Sequence, residues 1–188
     1  MKRSAGVILV IVAIFGLGLF FTGLYPVARI NEDIVLRRTF SERAKALIQF
    51  ENRTRSRING AELTEDEQRE LERVVLENLI INTVLTQYIR HNFTETDLFI
   101  EAELRVEEAL SSADADVLPR ATSELYGWSV DEFKKNVLFP QALMTVLEER
   151  VSVDNSNFKE FVREQLVYSD VSLYLIPWKW QNGEVVER

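Results

Sequence analysis

Residues 64–92 read TEDEQRELERVVLENLIINTVLTQYIRHN, and this stretch decides the fold. Thr64-Glu65-Asp66-Glu67 is a capping box, with Thr64 as N-cap and Glu67 reaching back from the third helical position. Acids crowd the first turn, where the helix dipole favours them. Leu71, Val75, Leu76, Leu79, Ile80, Val84, Leu85 and Tyr88 then recur at helical spacing as far as His91-Asn92. That apolar face is too wide for a helix lying on a surface, so the spacing predicts a helix at the centre of the fold.

The flanking sequence is mostly helical. Upstream, Phe40, Ala44, Leu47, Ile48 and Phe50 mark one face of a helix from about Thr39 to Arg57, with Asn59-Gly60 ending it. Its other face is basic, with Arg43, Lys45, Arg53, Arg55 and Arg57. Before it, Val27–Ile30 and Ile34–Leu36 read as short strands around the turn Asn31-Glu32-Asp33.

Downstream, Thr94 caps a helix with Leu98, Ala102, Val106 and Leu110 inward, and Ser111–Asp116 is a polar loop. Pro119 suits the first turn of a short helix ending at Leu125-Tyr126-Gly127. Ser129-Val130-Asp131-Glu132 is a second capping box, opening a helix with Phe133, Val137, Leu138, Leu143, Val146 and Leu147. Pro140 should kink or split that helix near Leu138-Phe139. Asp154–Asn157 is a break, and Phe158–Val167 one more short helix. The end is β-rich: Val171–Ile176 leads to Trp178-Lys179-Trp180-Gln181, the turn Asn182-Gly183, and Glu184-Val185-Val186. A terminal hairpin over residues 170–187 is expected to pair with Val27–Ile30. The fold class is therefore mainly α: a multi-helix domain with a small β element joining its N- and C-terminal segments.

One transmembrane helix is expected before that domain. Met1-Lys2-Arg3 precedes the uncharged apolar run GVILVIVAIFGLGLFFTGL at residues 6–24. Roughly 20 apolar residues of helix cross a hydrocarbon core about 30 Å thick. The run exceeds a signal-peptide core and lacks a small-x-small cleavage site, so residues 1–25 read as an uncleaved signal anchor. The expected topology has a cytoplasmic N-terminus, residues 6–24 in the lipid bilayer, and residues 26–188 on the extracytoplasmic side. The absence of cysteine excludes a disulfide scaffold. The formal charge of −8 becomes −10 once the two basic residues of the anchor are set aside. A surface this acidic argues against nucleic acid as a partner.

No catalytic constellation stands out, and neither a cofactor nor a metal is expected. His91, the single histidine, falls at a helix end, where it serves the last carbonyls. Glu101, Glu103, Glu107 and Glu108 read as a solvated helix face. Tyr126, Trp128 and Phe133 meet at one helix junction and suit core packing, with Trp128 and Phe133 as a hydrophobic staple across Ser129. Trp178 and Trp180 share a strand face; core, client contact and bilayer interface are all open to them.

Four segments together resemble the N-terminal chaperone domain of the SurA-type periplasmic chaperones and of membrane-anchored foldases of the PpiD and PrsA type. They are Val27–Asn31, the helix Val75-Leu76-Glu77-Asn78-Leu79-Ile80 through Gln87, the turn Phe93-Thr94-Glu95-Thr96-Asp97, and Leu125–Lys134. The similarity spans roughly residues 26–151. The chain departs from the family's Asn-Gly turn with Asn31-Glu32. The stretch after Val151 is too short for a parvulin isomerase domain, whose paired histidines are missing too. The resemblance implies a holdase rather than an enzyme, with unfolded or partly folded secreted and envelope proteins as partners. Leu85, Tyr88, Phe93, Tyr126 and Trp128 are the candidate client-binding residues. The alternative is a structural or adaptor subunit of a cell-envelope complex with one dedicated partner.

Overall fold

A computed structural model describes residues 22–58, 60–93, 95–152 and 157–188. The run at 6–24 therefore lies almost wholly outside the described residues, as do the Thr94 cap and most of the 154–157 break. Among the described residues no helix is long and apolar enough to cross a membrane.

The chain begins with strands β1 (Pro26–Ile30) and β2 (Asp33–Leu36) and continues into helices α1 (Arg37–Arg57), α2 (Glu65–Asn92), α3 (Glu95–Ser111) and α4 (Val117–Tyr126). A short helix α5 (Val130–Phe133) passes through one π-helical turn, Lys134–Leu138, into α6 (Phe139–Ser152). Helix α7 (Phe158–Tyr168) precedes strands β3 (Val171–Leu173), β4 (Trp178–Gln181) and β5 (Glu184–Glu187). The protein is mainly helical with a small amount of sheet.

Helix α2 is the axis. Its 28 residues extend about 42 Å at 1.5 Å per residue. Thr64 and Glu67 form the predicted capping box in full. The first half of its apolar face enters one core, where Val75, Leu76, Leu79, Ile80 and Val84 meet Phe40 and Ala44 of α1, Val27 and Ile30 of β1, and Trp178 and Val185 of the last two strands. The second half enters another core, in which Leu85 and Ile89 pack on Leu98 and Ala102 of α3 and on Leu143, Val146 and Leu147 of α6. Leu110, expected inward, is only half-buried at the end of α3.

The two ends of the described chain meet in a three-stranded antiparallel sheet ordered β2-β1-β3. A register shift between Pro26 and Ala28 turns Val27 and Ala28 both inward. The terminal hairpin is corrected here. Strand β3 pairs with β1, but β4 and β5 pair only with each other, as a separate two-stranded sheet. The Asn182-Gly183 turn has positive φ at both residues, as a tight hairpin turn demands. The hairpin packs on α1 and α2 instead: Trp178 is 3% exposed, edge-on to Phe40 of α1, and Val185 O accepts from Arg73 Nη1 of α2.

Helix α1 starts two residues before its expected start at Thr39. No side chain caps it. Instead the Arg37 and Arg38 amides donate to Tyr25 O and Gly23 O, so the incoming chain satisfies the first turn from its own backbone. No residue-type pattern signals that arrangement. Pro140 acts as expected. It has no N–H, and its ring would meet the carbonyl four residues back. The one-residue expansion at Lys134–Leu138, closed by Phe139 N donating to Lys134 O, absorbs this.

Gln87 is buried on the α2 face that meets the sheet. Its Nε2 donates to Ile30 O at 3.1 Å and to Asp33 Oδ2 at 2.7 Å, and its Oε1 accepts from Asn31 Nδ2 at 2.7 Å. Replacing Gln87 by Leu strands buried polar partners and should cost about 2–3 kcal/mol, readable by chemical denaturation. Glu67 accepts from Arg55 as well as from Thr64, which holds its carboxyl at about 2, against an ordinary 4.5. A depressed carboxyl stabilises the fold above the ordinary value and stops doing so as pH falls through the folded one. Glu67→Gln, which can keep the capping geometry, should therefore lower Tm at pH 7, and the gap should close between pH 4.5 and 2.

Candidate functional site

A cleft runs along the seam between the two cores. It consists of two adjoining cavities, about 690 Å³ and about 340 Å³, that share Arg43, Asn82, Pro140 and Met144 in their walls. Helix α2 forms its floor with Val75, Asn78, Leu79, Asn82, Leu85 and Thr86. The opposite wall comes from Asn136 and Val137 of the π-helical turn and from Phe139, Pro140, Leu143 and Met144 of α6. Pro140 thus does more than break a helix: the expanded turn before it aims Asn136 and Val137 into the cleft.

The third wall is aromatic. Phe50 of α1 stacks on Tyr126 at 4.9 Å between ring centres, and Tyr126 stacks on Trp128 at 5.7 Å. The column is held from below by Gly127, which ends α4 in the left-handed conformation at φ 70°. It is held from behind by Phe133, 5.2 Å from Tyr126. The second capping box fixes that corner, with Ser129 Oγ accepting from Glu132 N and Glu132 Oε2 accepting from Ser129 N. Tyr126 therefore stands between Trp128 and Phe133. Burial raises its phenol above the ordinary value, so it is neutral.

The polar lining is not tied to other side chains of the protein. The side-chain amides of Asn78, Asn82, Asn136 and Gln141 line the larger cavity, and none bonds to another described residue. Arg43 projects from α1 to the point where the cavities meet. Its Nε is buried without a hydrogen-bond partner, and desolvation lowers its pKa from the ordinary value. Several other arginines pair with carboxylates, as Arg55 does with Glu51 and Glu67.

The five residues expected to bind clients do not share one surface. Tyr126 and Trp128 line the larger cavity. Leu85 is 2% exposed and belongs to the second core, reaching only the edge of the smaller cavity. Tyr88 and Phe93 lie elsewhere, in an edge-to-face cluster with Phe161 of α7, where Tyr88 and Phe161 are 4.9 Å apart. His91 Nδ1 donates to Gln87 O at 2.7 Å. Trp180 packs half-buried against the first core beside Trp178. Among the described residues no group of His, Cys, Asp or Glu is placed to hold a metal ion.

Sequence reasoning missed Arg43, and a signal for it existed. Arg43 follows Phe40 by three and precedes Leu47 by four, so it sits on the apolar stripe of α1 rather than on its solvated basic face. A charge at such a position marks either a paired core cation or a site. Comparison of the chain with protein-family models, with curated proteins and with solved structures finds no match.

An unpaired, desolvated guanidinium costs stability. Arg43→Met keeps an apolar stem in the wall and removes the charge, so it should leave Tm unchanged or raise it, by about 1 kcal/mol or less of added stability. Differential scanning calorimetry reads this directly. A large loss would mean that Arg43 is a structural member of the core.

Proposed function

We propose that this is a single-pass membrane protein whose residues 1–25 form an uncleaved anchor. Residues 26–188 lie on the extracytoplasmic side, where they hold non-native segments of translocated proteins without catalysing a reaction. The observation that carries this reading is the cleft. Its walls combine stacked aromatics and aliphatics with amide side chains that have no internal partner, a surface suited to an extended chain that has not yet buried its own apolar residues. The apolar run at 6–24 supports the anchor. The acidic surface supports a soluble holding complex. The resemblance of residues 26–151 to SurA-type domains points the same way. A tether at the membrane raises the local concentration near emerging chains without needing tight binding.

Of the five candidate residues, Tyr126 and Trp128 are the ones this proposal retains as direct contacts. Leu85, Tyr88 and Phe93 support the cleft from the second core and its aromatic margin.

The test uses the full chain in nanodiscs of neutral lipid. Two unrelated denatured proteins are diluted into it and their light scattering is followed. Suppression of both near stoichiometric ratio is expected, and Trp128→Ala should weaken it several-fold. No suppression of either protein overturns the reading. Suppression of one alone, with a fixed stoichiometry, replaces it with the dedicated-partner subunit.

A further inference from the structure

We infer that the cleft prefers extended peptide segments that carry a carboxylate, and that Arg43 is the residue that receives it. This deepens the client-holding reading and rests on it.

Exposed arginines such as Arg53, Arg57 and Arg163 are met by water, whereas Arg43 is partly buried. Among the described residues Arg43 makes no ion pair, and its buried Nε has no acceptor. One carboxylate, Asp33, lines the cleft, two more, Glu42 and Glu132, line a neighbouring hollow that Arg43 also borders, and each accepts from another group. Asp33 Oδ2 accepts from Gln87. Glu132 Oε2 accepts from Ser129 N and Oγ. Glu42 Oε1 accepts from Arg38. The guanidinium, with donors arranged for a planar carboxylate, is left facing the cleft. An uncharged occupant would leave it unpaired and desolvated, which penalises such occupants and favours anionic ones.

The rest of the lining says what bears the carboxylate. Asn78 and Asn82 lie one helical turn apart on the α2 floor, and Asn136 and Gln141 lie across from them. Each amide offers a donor and an acceptor, the complement of a peptide unit. A fatty acid would pair with Arg43 but offer nothing for the half-buried Asn82 and Asn136 to bond to. Between the amides stand Leu47, Val75, Val137 and Met144, with room for apolar side chains on either side of a peptide backbone. At about 690 Å³ the larger cavity is within the range of pockets that hold small ligands or a few residues.

The test is isothermal titration calorimetry on the full chain in phosphatidylcholine nanodiscs, with heats from empty nanodiscs subtracted. The probes are four octapeptides of Leu, Phe, Ala and Ser around one central position. That position is Glu or Gln, and the C-terminus is free or amidated. At least one carboxylate-bearing peptide should bind about tenfold more tightly than the Gln, amidated peptide. The Glu-amide and Gln-acid arms tell a side-chain carboxylate from a terminal one. In Arg43→Met the preference should fall below about twofold, while Arg43→Lys should keep part of it. If Arg43→Met does not fold by circular dichroism, Arg43→Gln takes its place. Added salt, titrated on the unaltered protein, should then reduce the preference. Equal binding of all four peptides overturns the inference, as does a preference that survives loss of the guanidinium. Arg43-dependent binding of laurate without binding of any peptide overturns it too. A carboxylate preference without suppression of aggregation would remove the general holdase and leave the inference standing. Suppression of aggregation without the preference would do the reverse.

Discussion

The fold depends on one amide. Gln87 stands in the C-terminal part of the central helix, where an apolar residue would continue the stripe, and it reaches into the turn of the β1–β2 hairpin. That turn is made by Asn31 in the left-handed conformation, φ 51°. Asn31 spends one side of its amide on Gln87 and the other on Asp170 N, while its own N–H donates to Asp170 O. A two-stranded hairpin and a three-residue strand are each marginal alone. Joined through Asn31 and laid on α2 by Gln87, they close the domain across 139 residues of sequence, with Arg29 and Asp170 pairing at the rim. Every hydrogen-bonding atom of the Gln87 side chain that faces the sheet is used, which is what makes a buried polar group an asset for defining one register.

The same helix explains why there is a cleft. Its apolar face is longer than either core needs, so α1 with the sheet takes one half and α3 with α6 takes the other. At the seam neither group closes over α2. The π-helical turn before Pro140 holds α6 out and leaves the gap open. Ion pairs between α3 and its neighbours keep that wing rigid: Lys134 bridges Glu103 and Glu107, and Arg105 grips Glu149 as well as Glu101. These pairs are exposed, and each is worth little on its own. Together they fix where the wall stands. Arg43 at the seam works against stability, and the surrounding structure bears that cost. Such a residue is better understood by what it would bind than by what it holds together.

Much of this was legible in the residues. Both capping boxes, the Gly127 helix end, the Asn182-Gly183 turn and the Pro140 break are local chemistry, and local chemistry can be read from a sequence. Helix α1 could not be placed as well, because its first turn is satisfied by backbone groups of Gly23 and Tyr25 that no pattern announces. The partner of β1 was misassigned between two adjacent β segments for a related reason. Strand pairing over such a distance is chosen by burial, and Trp178 is better buried against Phe40 than in the sheet with β1. The site was half legible. Tyr126 and Trp128 could be found as an aromatic cluster, but Leu85, Tyr88 and Phe93 were grouped with them on hydrophobicity alone. The amides and Arg43 become visible as a lining only when three helices and a π-helical turn face one another.

The most direct measurement is photo-crosslinking from one position inside the cleft and one outside it. A benzoyl-phenylalanine at Met144 lies in both cavities, whereas one at Ile100 lies on the exposed apolar face of α3, where Ile100 is 52% and Leu104 64% accessible. With a denatured secreted protein as the target, irradiation should join it to the Met144 position and leave the Ile100 position largely unreacted. Crosslinks as strong from Ile100 as from Met144 would mean that clients meet exposed apolar surface in general, and the cleft would lose its claim to be the site.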